Sequence, residues 1–175
     1  RGPWDPRAQH GGPPAALLAR AIERFDDGDG LLVTRVTVEL MRPVPLAPLE
    51  LVTRFEKPGK RVQLVGASLA ADGVEVARAT GLRIRRGEVA LPASLPRPTD
   101  SAPPPHSAGR AHTRSGLLAG PHIAFGSDGV EHRVVAGGFD APGPGIDWIR
   151  LSAPLVAGEP TSPLCRAVAA ADFGN

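Results

Sequence analysis

The hydrophobic positions change their spacing along the chain, and each change marks a different element. From Ala15 to Phe25 the apolar residues recur every three or four positions, which is the spacing of one helix face. Two prolines precede this run at positions 13 and 14, where a helix has amides without partners. The pattern predicts a helix over residues 13–25, ended by the Asp- and Gly-rich residues 26–30.

After residue 30 the spacing shortens to two, which is typical of β-strands. Alternating runs follow at residues 32–40, 49–56, 61–71 and 74–86. Pro58-Gly59 and Asp72-Gly73 separate the last three runs, and Asp-Gly is a strong hairpin signal. We therefore expect an antiparallel meander whose apolar face is covered by the helix.

The alternation also predicts which side chains share a face. In the first run Leu32 falls on the same face as Val36. In the last run Leu82 and Ile84 share the apolar face, whereas Arg83 falls on the opposite one. These assignments place the arginine away from the core.

Composition divides the rest of the chain. Six prolines among residues 91–105 predict an extended linker over residues 91–121, between a first domain at 1–90 and a second at 122–175. The second domain has predicted strands at 130–136 and 146–155 and a helix capped by Ser162. It resembles the first in architecture but lacks a meander, so we expect another segment to complete its sheet.

Charge and cysteine content exclude several function classes. The net charge is +2 and the pI about 9.3, but the basic residues are scattered and only 4% of residues are aromatic, which disfavours nucleic acid as a partner. The absence of an 18-residue apolar run disfavours a membrane span. A single cysteine, Cys165, excludes an internal disulfide and predicts a cytoplasmic protein.

We predict no metal and no cofactor. The histidines after the first helix show no spacing typical of metal ligands. They are His106, His112, His122 and His132.

The residues before the first helix are candidates for chemistry. Gly11 and Gly12 directly precede the helix, whose free amides and dipole stabilise a carbonyl oxygen or a phosphate. Lacking side chains, these glycines let a ligand approach the backbone closely, although they also suit a tight turn alone. Both interpretations stay open at this point.

Asp172 is the second candidate. It falls near the end of an alanine-rich helix, where a carboxylate opposes the helix dipole. Such a carboxylate either orients an attacking water molecule or is an ordinary surface residue at a helix end.

The stretches "GPWDPRAQHGGPPAALLARA" and "AAADFGN" resemble the acyl-CoA thioesterase family with two hotdog domains in one chain, over essentially all 175 residues. The resemblance implies an α+β hotdog fold, an antiparallel sheet wrapped around a central helix, with the second copy incomplete here. It implies hydrolysis of a fatty acyl-CoA by activated water, and homo-oligomers formed through the sheets.

The resemblance also implies roles for single residues. Asp172 is the implied catalytic residue, acting with a Thr or Ser and a Gln from later strands that lie outside these 175 residues. His10, Gly11 and Gly12 are the implied substrate-binding residues, and no metal takes part.

Two other functions stay open. A hotdog domain can be catalytically silent and serve to bind acyl thioesters or to assemble oligomers. Asp5 and His10 also have the spacing of a hotdog enoyl-CoA hydratase, although that motif expects Asn and Pro where Arg7 and Ala8 stand. A third interpretation makes Asp5 and His10 scaffolding of the loop before the helix.

Overall fold

The computed structural model describes residues 1–27, 30–92, 94–95, 102–112, 123–138 and 142–174. Parts of the predicted linker, and His122, lie outside these residues. The helices in the described residues are α1 (Gly12–Arg24) and α2 (Pro163–Ala171). The strands are β1 (Leu31–Leu40), β2 (Glu50–Lys57), β3 (Val62–Ala71), β4 (Val74–Arg85), β5 (Arg110–Ala111), β6 (Val130–Ala136) and β7 (Ile146–Leu151). Neither described helix is long and apolar enough to cross a membrane.

The first four strands form one antiparallel sheet in the order β1-β4-β3-β2. The predicted hairpin between β3 and β4 is confirmed: Asp72 and Gly73 have φ values of 49° and 74°. Positive φ at both central residues is what a tight two-residue hairpin turn requires. The predicted meander is confirmed for β2, β3 and β4, whereas β1 lies beside β4 and not beside β2, so the four strands together are not a simple meander.

Helix α1 lies across this sheet, as predicted. Leu18 and Ile22 are fully buried and pack against Val65 and Leu69 of β3. The helix ends at Arg24, and the ring of Phe25 meets that of Phe55 edge-on at 4.8 Å. The apolar stripe of the helix thus forms a hydrophobic core with the first sheet.

The predicted face of Leu32 is wrong. Its side chain is 44% exposed, and Val33 packs against the core instead, together with Val36. The pairing of β1 with β4 shifts between Val33 and Arg35. A β-bulge inserts one extra residue and so reverses the alternation on its far side, which simple periodicity cannot anticipate.

The predicted faces of β4 are also wrong. Arg83 is only 1% exposed, whereas Ile84 is 38% exposed. The Arg83 guanidinium donates a 2.7 Å hydrogen bond to the carbonyl oxygen of Phe25, at the end of α1. Helices end in carbonyls that need partners, and a cation suits the negative end of the dipole, so the buried arginine is satisfied there.

Small residues occupy the part of β4 that lies under α1. Ala77, Ala79 and Gly81 are buried, and a Cβ atom at Gly81 would lie 2.3 Å from Cγ2 of Ile22. We expect Gly81→Ala to lower the free energy of unfolding by about 1–3 kcal/mol, because α1 must move away from the sheet. Urea unfolding measures this change. Because Ile22→Ala removes the clashing methyl group, Gly81→Ala should cost less in an Ile22→Ala background than in wild type, and an equal cost in both backgrounds would contradict the clash.

A second sheet, antiparallel and three-stranded in the order β5-β6-β7, lies beside α2. The predicted cap is confirmed: the Ser162 hydroxyl accepts from the amide of Cys165, 3.2 Å away. Strand β7 ends at Leu151, shorter than predicted. Strand β5 lies within the range assigned to the linker and pairs with β6.

Helix α2 packs on the side of α1 that faces away from the first sheet. Ala16 of α1 is fully buried against Cys165 and Ala169 of α2, and burial raises the pKa of the Cys165 thiol. Small side chains let two helices approach closely at this contact. Both sides of α1 are therefore buried.

Polar contacts fix the position of α2 along α1. Arg20 of α1 donates to both carboxylate oxygens of Glu159, at 2.6 and 2.8 Å. The Ser162 hydroxyl donates a 2.6 Å hydrogen bond to Glu23. Glu159 and Ser162 come just before α2 and contact the C-terminal part of α1. The C-terminal end of α2 therefore reaches the beginning of α1.

Candidate functional site

A buried histidine and a carboxylate from distant parts of the chain meet at the beginning of α1. His10 Nδ1 lies 2.6 Å from Asp172 Oδ2. The His10 side chain is 9% exposed and that of Asp172 27% exposed. The carboxylate is thus held on one side and still reachable by solvent on the other.

The amides at the beginning of α1 face the same carboxylate. The hydrogen bond from His10 lowers the pKa of Asp172 below its ordinary value of about 3.8, burial opposes this effect, and the Gly12 and Gly11 amides add to the lowering. Each of these donors stabilises the ionised form. Asp172 is therefore a carboxylate at neutral pH.

One proton of His10 can be placed from these contacts. The Gly12 amide nitrogen lies 3.3 Å from His10 Nδ1, close enough for a hydrogen bond if Nδ1 is unprotonated. An ionised carboxylate can only accept, however, and it lies much closer to Nδ1. The proton on Nδ1 is therefore donated to Asp172, and the Gly12 amide donates to the carboxylate instead.

Close packing explains why glycine stands at both positions. A Cβ atom on Gly11 would lie 2.8 Å from Asp172 Oδ2, and one on Gly12 would lie 2.5 Å from the carbonyl oxygen of Ala169. Either side chain would push α2 and its carboxylate away from α1. In this structure the group that approaches the two glycines is a carboxylate of the same chain.

This contact also explains the unfavourable position of Asp172 on its own helix. Asp172 is the C-terminal cap of α2, where the helix dipole disfavours negative charge. Its carboxylate instead lies against the N-terminus of α1, where the dipole favours negative charge. The tertiary contact therefore replaces an unfavourable field with a favourable one.

Two phenylalanines that the sequence did not single out surround His10. The centres of the Phe125 and Phe173 rings lie 5.2 and 4.8 Å from that of His10, and the two phenylalanine rings stack at 5.9 Å. Phe173 follows Asp172 directly, which was the one available signal. Phe125 begins a single π-helical turn, Phe125–Gly129, that shows no pattern in the sequence.

Asp5 has a different partner from His10. Its carboxylate accepts from the backbone amide of Arg7 at 2.8 Å and from the Arg7 guanidinium at 3.1 and 3.2 Å. His10 pairs with Asp172 instead. The structure thus does not assemble the Asp5–His10 pair that a hydratase would use, and Asp5 makes a local turn.

Lowering the pH should weaken the contact between the beginning of α1 and the end of α2. Because the folded-state pKa of Asp172 is depressed, its stabilising contribution is present above about pH 3.8 and is lost as pH falls towards the lower folded value. We expect the difference in unfolding free energy between wild type and Asp172→Asn to shrink from pH 5 to pH 3. Urea titrations at each pH measure it, and a difference that grows on acidification would contradict the assignment.

A metal centre finds no support among the described residues, where no group of three or more His, Cys, Asp or Glu side chains is close enough to hold an ion.

A comparison with protein families matches the first part of the chain. Residues 1–84 match the family described as the acyl-CoA thioesterase N-terminal domain, and this range covers the His-Gly-Gly segment, α1, β1 to β3 and β4 except for its last residue. These residues, just under half of the chain, are similar to that family. A comparison with proteins of curated function gives no match.

Solved structures show the same fold. A conserved protein of unknown function with the hotdog fold from Alicyclobacillus acidocaldarius is 19% identical and superimposes with a TM-score of 0.68 over 97% of this chain. A candidate thioesterase from Novosphingobium aromaticivorans is 24% identical, with a TM-score of 0.62 over 94% of this chain. This chain spans 60% of the length of each. The predicted α+β hotdog fold is confirmed.

Proposed function

We propose that this chain takes part in the hydrolysis of acyl-CoA thioesters, with Asp172 as the residue that orients the attacking water. The observation that supports this most is the carboxylate itself, which is ionised, held by His10 and two glycine amides, and still 27% exposed. A fixed carboxylate with an open side is suited to accept a hydrogen bond from water.

The proposed reaction needs few parts from this chain. The oriented water adds to the thioester carbonyl carbon, the carbon–sulfur bond breaks, and the products are a carboxylic acid and the thiol of CoA. Because the pKa of Asp172 is lowered, the carboxylate is a weak base and serves mainly to orient the water. We assign His10, Gly11 and Gly12 to holding this carboxylate in place. A direct contact of these three residues with substrate stays a prediction.

A second candidate function is a catalytically silent domain that binds acyl thioesters or assembles oligomers. The observation that favours it is the number of donors on Asp172, because His10, Gly11 and Gly12 together are enough for a purely structural tie between the two domains. Assembly of copies through the sheets also stays a prediction. The exposed Leu51 and Val52 on edge strand β2 support it.

One assay separates these candidates. Acyl-CoA esters of graded chain length are incubated with the full natural polypeptide that contains this chain, and release of free thiol is followed with a thiol reagent. Calorimetry with a non-hydrolysable thioether analogue measures binding alongside. Hydrolysis above the blank supports the enzyme, whereas binding of the analogue without thiol release supports the silent domain.

A further inference from the structure

We propose that a second buried pair, His132 with Asp147, is a positioning device for the Asp172 site; this inference rests on the proposed function. His132 lies on β6 and Asp147 on the neighbouring strand β7. His132 Nδ1 is 2.5 Å from Asp147 Oδ2, and the side chains are only 4% and 18% exposed. A buried ionisable pair of this kind is costly unless its geometry is well satisfied.

Both ring nitrogens of His132 are occupied. Nε2 lies 3.1 Å from the carbonyl oxygen of Gly126, which can only accept, so Nε2 carries a proton. A second proton lies in the hydrogen bond between Nδ1 and Asp147. Neighbouring groups thus hold the imidazole at both nitrogens, and this arrangement favours a role in positioning.

The groups that His132 holds are the two aromatic neighbours of His10. Gly126 follows Phe125 in the π-helical turn, so the bond to its carbonyl oxygen fixes that turn and the Phe125 ring. The edge of the His132 ring also meets the Phe173 ring at 4.9 Å. Phe173 is the residue after Asp172. A single imidazole thus contacts both structures that border the candidate site.

The same two strands carry a natural control for this pair. Glu131 and Arg150 also form an ion pair between β6 and β7, adjacent in register to His132. The Arg150 side chain is 78% exposed, and exposed pairs contribute little to stability. Glu131→Gln therefore removes a cross-strand ion pair without touching the π-helical turn or Phe173.

The first test uses ¹⁹F NMR to follow the surroundings of the aromatic rings and needs no activity measurement. The full natural polypeptide is labelled with 4-fluorophenylalanine, and the ¹⁹F resonances are assigned by single Phe→Leu changes. We expect His132→Gln and the nearly isosteric Asp147→Asn to shift the Phe125 and Phe173 resonances. Those of Phe25 and Phe55, which pack against each other in the first domain, should stay in place.

The second test measures kcat and KM of the same variants. A displaced carboxylate reduces the rate of the chemical step more than it reduces binding, so we expect kcat to fall about 10- to 100-fold with KM changed less than about threefold. Glu131→Gln should match wild type in both constants. A change in KM alone, or the same loss of kcat in Glu131→Gln, would overturn the inference.

The remaining outcomes are also decisive. Unmoved Phe125 and Phe173 resonances in both variants overturn the inference, and so does movement of all four assigned resonances, which means a global change of fold. Moved rings with unchanged kcat overturn it as well. If wild type releases no thiol, the proposed function fails, and the fluorine spectra alone decide whether His132 positions Phe125 and Phe173.

Discussion

Replacing Asp172 with Asn should lower kcat for acyl-CoA hydrolysis by about 10²-fold, the loss typical when a reacting group is no longer held in position. Asn has nearly the shape of Asp but no charge, so it cannot polarise water as a carboxylate does. Its amide group also brings N–H donors towards His10 and the glycine amides, which are themselves donors. KM should change far less than kcat, because the side chain is assigned to water and not to substrate.

The measurement is release of free thiol from a saturating acyl-CoA, with the full natural polypeptide and its variant at equal folded concentrations. Asp5→Asn is the matched control, since Asp5 is bonded to Arg7 and not to His10. It should retain wild-type kcat. Wild-type turnover by Asp172→Asn would remove Asp172 from the mechanism. Loss of turnover in Asp5→Asn alone would instead support a catalytic role for Asp5 and His10.

Replacing Gly12 with Ala should damage stability and activity together. The new methyl group would lie 2.5 Å from the carbonyl oxygen of Ala169 and 3.1 Å from the Phe125 ring. A backbone carbonyl cannot rotate away as a side chain can, so α2 must separate from α1. We expect the free energy of unfolding to fall by about 1–3 kcal/mol or more, and thiol release to fall with it as Asp172 moves.

Urea unfolding of the full natural polypeptide gives the stability change, and thiol release measured well below the unfolding midpoint gives the activity. Gly87→Ala is the control, because a Cβ atom at Gly87 meets nothing within 4 Å. It should stay within about 0.5 kcal/mol of wild type, as surface substitutions usually do. Equal behaviour of the two alanine variants would mean that close packing at Gly12 is unimportant.

Local signals predicted α1 and the strands of the first sheet well. The helix over residues 13–25 and the Asp72-Gly73 hairpin depend on interactions between residues a few positions apart, so the spacing in the sequence carries the information. The faces of the strands were less predictable. A bulge in β1 exposed Leu32, and Arg83 is buried because the end of α1 presents a carbonyl oxygen to it.

The candidate site was predicted as separate residues and not as an arrangement. His10, Gly11, Gly12 and Asp172 were each singled out for what they do alone, whereas their contact depends on α2 packing against α1. Phe125 and His132 gave no sequence signal at all. Their importance comes from partners such as Asp147 and Phe173 that folding brings near.

The amino-acid sequence by itself determined the helix led by prolines, the order of the strands along the chain and the list of residues with useful chemistry, because propensity, periodicity and turn residues act over short distances. Only the tertiary structure decided that the Asp172 carboxylate faces the N-terminus of α1, next to His10. That pairing depends on how closely two helices can approach. Small residues that lie far apart in the sequence set this distance between the helices, and they leave no periodic pattern along the chain.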